Sequence, residues 1–180
     1  MKTTIKKPQT LAIIYDDLFP HVKSLVRAGN NGTSIIVPHV CNNVNAFGAG
    51  FAGAVAGYYP EVKENYHLLG SSFLSNNLGY VQFVDVYKDQ KFGHKLIFAN
   101  MIAQNGLINK NNQRPLNYLA LVKSMVSVGK YIQQNFDSEN RVQIHAPKFG
   151  SGLGGGNWLF IEELIKDIWV NIPTFIYSPK

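Results

Sequence analysis

Cysteine is nearly absent from this sequence, since Cys41 is the only one among 180 residues. An internal disulfide is therefore excluded, and a single thiol is typical of proteins from a reducing compartment. No apolar run approaches the roughly 20 residues that a membrane-spanning helix needs. The basic N-terminus is not followed by an apolar stretch of the length that a signal peptide has. We therefore expect a cytoplasmic protein that does not contact a membrane.

Acidic residues are also scarce, with 11 aspartates and glutamates against 17 lysines and arginines, which gives a formal net charge of +6. A positive net charge of this size is compatible with binding to nucleic acid, with binding to a small anionic ligand, or with solubility alone. The basic residues form no dense block and no aromatic-interleaved RNA motif, so we expect no specific nucleic-acid partner. The five histidines lack metal-binding spacing, and Cys41 has no nearby CxxC or CxH partner. We predict no metal site and no cofactor.

Linkers, repeats and low-complexity segments are absent too. The chain is therefore expected to form one domain, residues 11–180, after a polar N-terminal tail, residues 1–10, and to be a monomer. Strands are predicted at residues 11–15, 34–40, 80–86, 95–104, 141–147 and 173–177. Helices are predicted at residues 50–69, with a break near Tyr59-Pro60, and at 116–136 and 158–170. This alternation predicts an α/β fold in layers.

The first of two glycine clusters follows the second strand, where Gly48, Gly50 and Gly53 match GxGxxG literally. The dinucleotide fingerprint requires this motif directly after a strand, with an acidic residue about 20 positions later. Here seven residues separate Val40 from Gly48, and position 68 is a leucine. We therefore interpret the match as fortuitous. The cluster still makes a turn before a helix, whose N-terminus offers unpaired N–H groups to an anion.

The second cluster follows the fifth strand and places five glycines within seven residues, from Gly150 to Gly156. Glycine loses more conformational freedom on ordering than other residues, so a plain connection seldom contains so many. A nest of backbone N–H groups around a phosphate does need them. The cluster lacks GK[ST] and is no Walker motif. A flexible loop would explain either cluster alone, whereas a pyrophosphate ligand would explain both together.

Seven short segments share a pattern that no one of them would define alone. They include HVCNN at 39–43, GAGF at 48–51 and YPE at 59–61, with residues 16–19, 99–104, 114–118 and 146–158. Together they resemble macro domains, in the branch related to ADP-ribose 1″-phosphate phosphatases and terminal ADP-ribose protein glycohydrolases. The resemblance implies a three-layer α/β/α fold, in which helices flank both faces of a mixed central sheet. It also implies an ADP-ribose cleft across the strand ends.

The resemblance, carried over position by position, implies ligand contacts at both glycine loops and at the first and last strands. Asp17 would accept a hydrogen bond from the adenine amino group, unless it only caps a helix or turn. Tyr177 would stack near the adenine, or would serve equally well as a core or rim tyrosine. Asn100 and Gln104 match the pattern too, although a polar residue on a strand can simply pair with backbone. The implied ligand-binding residues are Asp17, Leu18, Asn43, Asn45, Gly48, Ala49, Gly50, Phe51, Gly150, Ser151, Gly152, Leu153, Gly154, Gly155, Gly156 and Tyr177.

Catalytic residues are where the sequence departs most from its relatives. Those that remove ADP-ribose from protein glutamates carry a lysine in the first helix and an aspartate in the second glycine loop, where this chain has Ala56 and Gly154. The resemblance then implies at most dephosphorylation of ADP-ribose 1″-phosphate, with His39 or Asn45 positioning water. A histidine also suits proton transfer near neutrality, unless it is a core residue. The alternatives are a non-catalytic module that binds ADP-ribose or an NAD-derived signal, and a hydrolase acting on ADP-ribosylated protein or nucleic acid.

Overall fold

The computed structural model of the chain describes residues 11–137 and 141–179. The predicted N-terminal tail, residues 1–10, lies outside the described residues. The strands are β1 (Leu11–Ile14), β2 (Ser34–Asn42), β3 (Val81–Lys88), β4 (Lys95–Gln104), β5 (Val142–Pro147) and β6 (Thr174–Tyr177). The helices are α1 (Leu18–Arg27), α2 (Gly50–Tyr58), α3 (Pro60–Leu68), α4 (Ser71–Asn76), α5 (Tyr118–Asn135) and α6 (Trp158–Ile168). Within the described residues, no helix is both long and apolar enough to cross a bilayer.

The strands form one mixed sheet in the order β1-β6-β5-β2-β4-β3. The neighbouring pairs from β1 to β4 are parallel, whereas β3 pairs with β4 in the antiparallel direction. The central strand β2 is buried along almost its whole length, as expected for a parallel strand covered on both faces. The predicted mixed sheet is confirmed, and β2, β4 and β5 end beside one another at the same edge.

Two separate hydrophobic cores lie on the two faces of this sheet. On one face, Ile36 and Ile97 pack with residues of α5 and α6 such as Leu121 and Ile165. On the other face, the neighbouring strand residues Ile35 and Phe98 pack with residues of α1, α2 and α3. Successive side chains of a strand point to opposite faces, which explains how adjacent residues enter different cores. The predicted three-layer α/β/α architecture is therefore confirmed.

Two helices of the structure were not predicted from the sequence. One is α1, which begins after Asp17 and carries Pro20 in its first turn, where a proline is tolerated because the first N–H groups have no partner within the helix. The other is α4, which has only six residues. Short helices of this kind give too few repeats for the periodicity of their apolar residues to show. The break predicted near Tyr59-Pro60 is confirmed, since α2 ends at Tyr58 and α3 begins at Pro60.

Candidate functional site

One cavity of about 480 Å³ lies at the ends of β2, β4 and β5, between the two glycine loops. Its volume is within the range of roughly 300–1,000 Å³ that small-molecule sites have. The loops meet where Leu153 lies over Gly50, since a Cβ placed at Gly50 would be 3.1 Å from Leu153 Cδ1. The structure brings together the following predicted residues as its lining: His39, Gly48, Ala49, Gly50, Phe51, Gly150, Gly152, Leu153 and Gly154.

The first glycine loop ends in the uncapped N-terminus of α2. No side chain caps this helix, and its first bond within the described backbone is from Gly53 N to the Ala49 carbonyl at 3.2 Å. The N–H groups of Gly50, Phe51 and Ala52 therefore have no partner inside the helix. All three residues line the cavity. Such a row of N–H groups, with the positive end of the helix dipole, favours an anion.

The second glycine loop offers a second row of donors, but a shorter one than predicted. Gly156 N donates to the Gly150 carbonyl at 2.8 Å, and Gly155 N donates to the Gly152 carbonyl at 2.9 Å. These bonds fold the loop on itself and already pair the N–H groups of Gly155 and Gly156, so a diphosphate contact at these two residues stays a prediction. Among the described residues, the N–H groups from Ser151 to Gly154 have no hydrogen-bond partner. They are the donors of this loop that remain available to an anion.

Gly154 is required by the fold of this loop. A Cβ at position 154 would lie 2.6 Å from the Gly150 carbonyl oxygen, which is closer than real Cβ atoms approach backbone. The aspartate that the related glycohydrolases carry in this loop would therefore displace the backbone here. The departure at Gly154 is thus part of the loop's geometry and not an isolated substitution.

His39 is the predicted catalytic histidine, and the structure places it in the floor of the cavity with only 1% of its surface exposed. The Asn100 amide nitrogen donates to Gln82, so Asn100 Oδ1 is free to accept from His39 Nε2 at 2.6 Å. His39 Nδ1 then faces the Cys41 thiol at 3.7 Å. Burial lowers the pKa of His39 to about 4 and raises the pKa of Cys41. A neutral imidazole with so low a pKa is poorly suited to proton transfer near neutrality, and a catalytic role of His39 stays a prediction.

Tyr177 lies in the core and does not line the cavity. It is 2% exposed, and its hydroxyl is 2.7 Å from His145 Nδ1. His145 Nε2 lies 3.1 Å from Gln143 Oε1, which can only accept, so the tyrosine hydroxyl donates to Nδ1. Burial also lowers the pKa of His145, to about 3. The structure therefore places Tyr177 in the core, as its alternative role predicted, together with His145.

Asn43 and Asn45 support the first loop with their side chains. Asn45 has a positive φ of 59°, and its amide is held by His67 Nδ1 at 2.8 Å and by Ser71 Oγ at 3.2 Å. Asn43 receives the Gly106 N–H at 2.8 Å on its amide oxygen. Neither side chain lines the cavity. The role of Asn45 in positioning water therefore stays a prediction.

Asp17 and Leu18 lie at the start of α1, and neither lines the cavity. Leu18 is a core residue with 3% exposure. Asp17 is the N-cap of the helix, because its carboxylate accepts the Phe19 N–H at 3.0 Å. The capping alternative is thus confirmed, and the adenine contact stays a prediction.

The cap gives a test that separates these two roles of Asp17. We expect Asp17→Ala to lower the free energy of unfolding by about 1 kcal/mol, and Asp17→Ser, which retains a capping oxygen, to stay close to the wild type. Urea denaturation measures both. An unchanged stability of Asp17→Ala would contradict the cap. Weaker ADP-ribose binding by a stably folded Asp17→Ser variant would reveal the adenine contact, since the serine side chain is too short to reach it.

Sequence reasoning missed several lining residues, including Phe47, Lys148 and Phe149. Lys148 stands directly before the second glycine loop, and a cation at that point was a readable signal for an anion site. Lys148 is also the only lining residue with a formal charge at neutral pH among the described residues, because no aspartate or glutamate lines the cavity. The described part of the chain holds no group of three or more histidine, cysteine or carboxylate side chains that suits a metal ion.

Comparison with known proteins connects this geometry to a family. No protein-family model matches the chain. It is 29% identical over 158 residues to the ADP-ribose 1″-phosphate phosphatase of Lodderomyces elongisporus, with 83% of this chain and 86% of the relative covered. It is 28% identical to the structure of a macrodomain protein from Streptomyces coelicolor, with a TM-score of 0.62 over 82% of this chain and 90% of that one.

A third similar structure was solved with a ligand. It is Thermosipho africanus DarTG in complex with ADP-ribose, which is 18% identical, with a TM-score of 0.64 over 95% of this chain and 42% of that one. At this identity the likeness concerns the fold alone. The sheet order, the two glycine loops at the strand ends and these relatives agree with one another, and the chain has the fold of macro domains.

Proposed function

We propose that this protein binds ADP-ribose or a close derivative of it, with the diphosphate held between the two glycine loops. The observation that carries the proposal is the pair of unpaired N–H rows, one from the start of α2 and one from Gly152 to Gly154, which border a single cavity. Two anionic groups joined in one ligand would satisfy both rows. The absence of lining carboxylates among the described residues removes the repulsion that such a ligand would otherwise meet.

The family relatives support this choice of anion. The Lodderomyces relative is named as an ADP-ribose 1″-phosphate phosphatase, and the Thermosipho structure contains ADP-ribose. Micromolar affinity needs about 8 kcal/mol, which two phosphate loops and a partly apolar cavity of this size can supply without any chemical step. We further propose that residues 11–180 act as one monomeric cytoplasmic unit without a nucleic-acid partner. The single sheet that joins the described strands supports the part of this proposal that concerns one unit.

Catalysis is proposed at most as modest dephosphorylation of ADP-ribose 1″-phosphate, in which loop N–H groups would stabilise charge on the phosphoryl oxygens. A specific observation favours the second candidate, a non-catalytic binding module. The buried imidazole of His39, with its pKa of about 4, and the Cys41 thiol, with its raised pKa, leave the floor of the cavity without a group suited to proton transfer at neutral pH. Removal of ADP-ribose from protein or nucleic acid is the weakest candidate, because Ala56 and Gly154 replace the lysine and aspartate that this chemistry uses.

Calorimetric titration with ADP-ribose tests the proposal. We expect a one-to-one complex with a dissociation constant in the micromolar range, and weaker binding of AMP, which lacks the second phosphate. Circular dichroism of the same sample verifies that the protein is folded. No heat with folded protein at high micromolar ADP-ribose would contradict the proposal.

Release of inorganic phosphate from ADP-ribose 1″-phosphate separates the enzyme from the module. Binding without turnover is the result expected for a module. Turnover that Asn45→Ala or His39→Ala abolishes, in variants that still bind ADP-ribose, would establish the phosphatase. Stripping of ADP-ribose from modified protein would contradict the argument from Ala56 and Gly154.

A further inference from the structure

Gln104 is a polar side chain that lies buried beside the cavity and has no role in the phosphate loops. It is the last residue of β4, where it pairs with Asn42 of β2 across a register shift. Only 9% of its surface is exposed, and it lines the cavity. Its backbone carbonyl accepts from Asn43 N at 3.0 Å, which fixes the position of the residue against the first glycine loop.

The amide orientation of Gln104 follows from its one side-chain hydrogen bond. Its Nε2 donates to the Gly106 carbonyl at 3.1 Å, and a carbonyl oxygen can only accept. The amide oxygen Oε1 is therefore an acceptor, and it has no hydrogen-bond partner among the described residues. Oε1 is not among the fully buried side-chain atoms without a partner, so water reaches it in the free protein. A ligand that displaces this water without offering a donor would leave the acceptor unpaired, which is costly. A ligand that occupies the cavity must therefore bring a donor to this point.

Gln104 and the two glycine loops require opposite kinds of hydrogen-bonding group from a ligand. The two glycine loops present N–H groups, which call for acceptors such as phosphate oxygens. Gln104 Oε1 calls instead for a hydroxyl or an N–H group. A phosphate alone would leave it unsatisfied, whereas a sugar hydroxyl next to a phosphate would pair with it.

The order of the strands indicates which part of the ligand lies beside Gln104. The glycine loops follow β5 and β2 at the middle of the sheet, and the predicted adenine contact at Asp17 follows β1 at one edge. β4 lies on the opposite side of β2 from β5. A ligand with its diphosphate at the loops and its adenine towards β1 therefore extends its other end towards Gln104. In ADP-ribose that end is the terminal ribose.

We infer that Gln104 recognises the terminal ribose of the ligand, by accepting a hydrogen bond from one of its hydroxyl groups on Oε1. The inference rests on the proposed function, since it assigns one end of a ligand whose diphosphate occupies the loops. It makes Gln104 a specificity-determining residue that separates ADP-ribose from ADP, which has the same diphosphate and no terminal sugar.

Titration of matched variants with ADP-ribose and with ADP tests the inference. The wild type binds ADP-ribose at least about tenfold more tightly than ADP, as the loss of a well-placed hydrogen bond to a buried group predicts. Gln104→Met, which keeps the length of the side chain but has no acceptor, loses about tenfold in ADP-ribose affinity and leaves ADP affinity unchanged. Gln104→Glu keeps the acceptor and keeps the preference for ADP-ribose, although its charge weakens both ligands.

Gln143→Met is the control, because Gln143 lies on β5, bonds to His145 and does not line the cavity. It leaves both affinities unchanged. Equal losses for ADP-ribose and ADP in Gln104→Met would show a purely structural role and overturn the inference. So would a wild type that binds both ligands equally.

If Gln104→Met does not fold, the wild type is titrated with ADP-ribose deoxygenated at each terminal hydroxyl in turn, and a lack of effect at every position overturns the inference. A wild type that binds neither ADP-ribose nor ADP would instead contradict the proposed function itself.

Discussion

Replacement of Gly154 by alanine is expected to weaken ADP-ribose binding by at least about tenfold and to lower the free energy of unfolding by about 2 kcal/mol. The added Cβ would stand 2.6 Å from the Gly150 carbonyl oxygen, and backbone cannot move aside as a flexible side chain can. Overpacking of this kind costs roughly 1–3 kcal/mol. The loop would have to open, which misplaces the N–H groups from Ser151 to Gly154. Calorimetry and urea denaturation of the purified variant measure the two effects.

Gly152→Ala is the matched control for this prediction. A Cβ at Gly152 meets no atom within 4 Å, and its backbone has no positive φ. Alanine retains the N–H group, so folding stability and ligand affinity should both stay close to those of the wild type. If Gly154→Ala bound ADP-ribose as tightly as Gly152→Ala, the second loop would not be the phosphate site in the conformation described above.

Acidification from pH 7 to pH 4 is expected to destabilise the protein by about 3 kcal/mol through His39 alone. Burial lowers the pKa of His39 from 6.5 to about 4 in the folded state, so the unfolded state binds the proton more readily. The stabilisation by the neutral imidazole is then complete above pH 6.5 and is lost as the pH falls towards 4. The size follows from about 1.36 kcal/mol for each unit of pKa difference. His145, with a pKa lowered to about 3, acts in the same direction.

Urea denaturation at several pH values between 4.5 and 6.5 measures this effect as a slope. Each histidine that takes up a proton on unfolding contributes about 1.4 kcal/mol per pH unit in this range. His39→Gln should therefore have a shallower slope than the wild type by about that amount, and His145→Gln likewise. The comparison of slopes removes the contribution of carboxylates, which all variants share. Identical slopes in the wild type and His39→Gln would contradict a neutral buried His39.

Much of the fold could be predicted because its signals are local. β4 was predicted at residues 95–104 and observed at Lys95–Gln104, since a long apolar run is readable without knowledge of its neighbours. The start of α5 was predicted two residues early, because Asn117 caps the helix by accepting the Ala120 N–H. The apolar residue before it, Leu116, belongs to the core but not to the helix. A hydrophobic pattern therefore marked the buried segment better than the helix boundary.

The two loops of the site could be predicted from the sequence because they are rich in glycine. Gly150 and Gly50 have positive φ angles of 74° and 56°, which glycine adopts more readily than other residues. The high glycine content of the two segments therefore predicted loops with unusual backbone conformations. Side chains were predicted less well. Asn45 and Tyr177 were placed by the resemblance at the ligand, but neither lines the cavity, and each is held by other residues of the fold.

The sequence by itself determined that strands alternate with helices and that two glycine-rich turns follow strands, because periodicity and glycine content depend on neighbouring residues only. Only the tertiary structure decided which groups of these turns are free to bind. His39 bonds to Asn100, 61 positions away, and His145 bonds to Tyr177, 32 positions away. Burial and pairing between residues so distant in sequence arise when the sheet assembles. The same assembly buries the His39 imidazole, which lowers its pKa, and leaves Gln104 Oε1 without a protein partner beside the cavity.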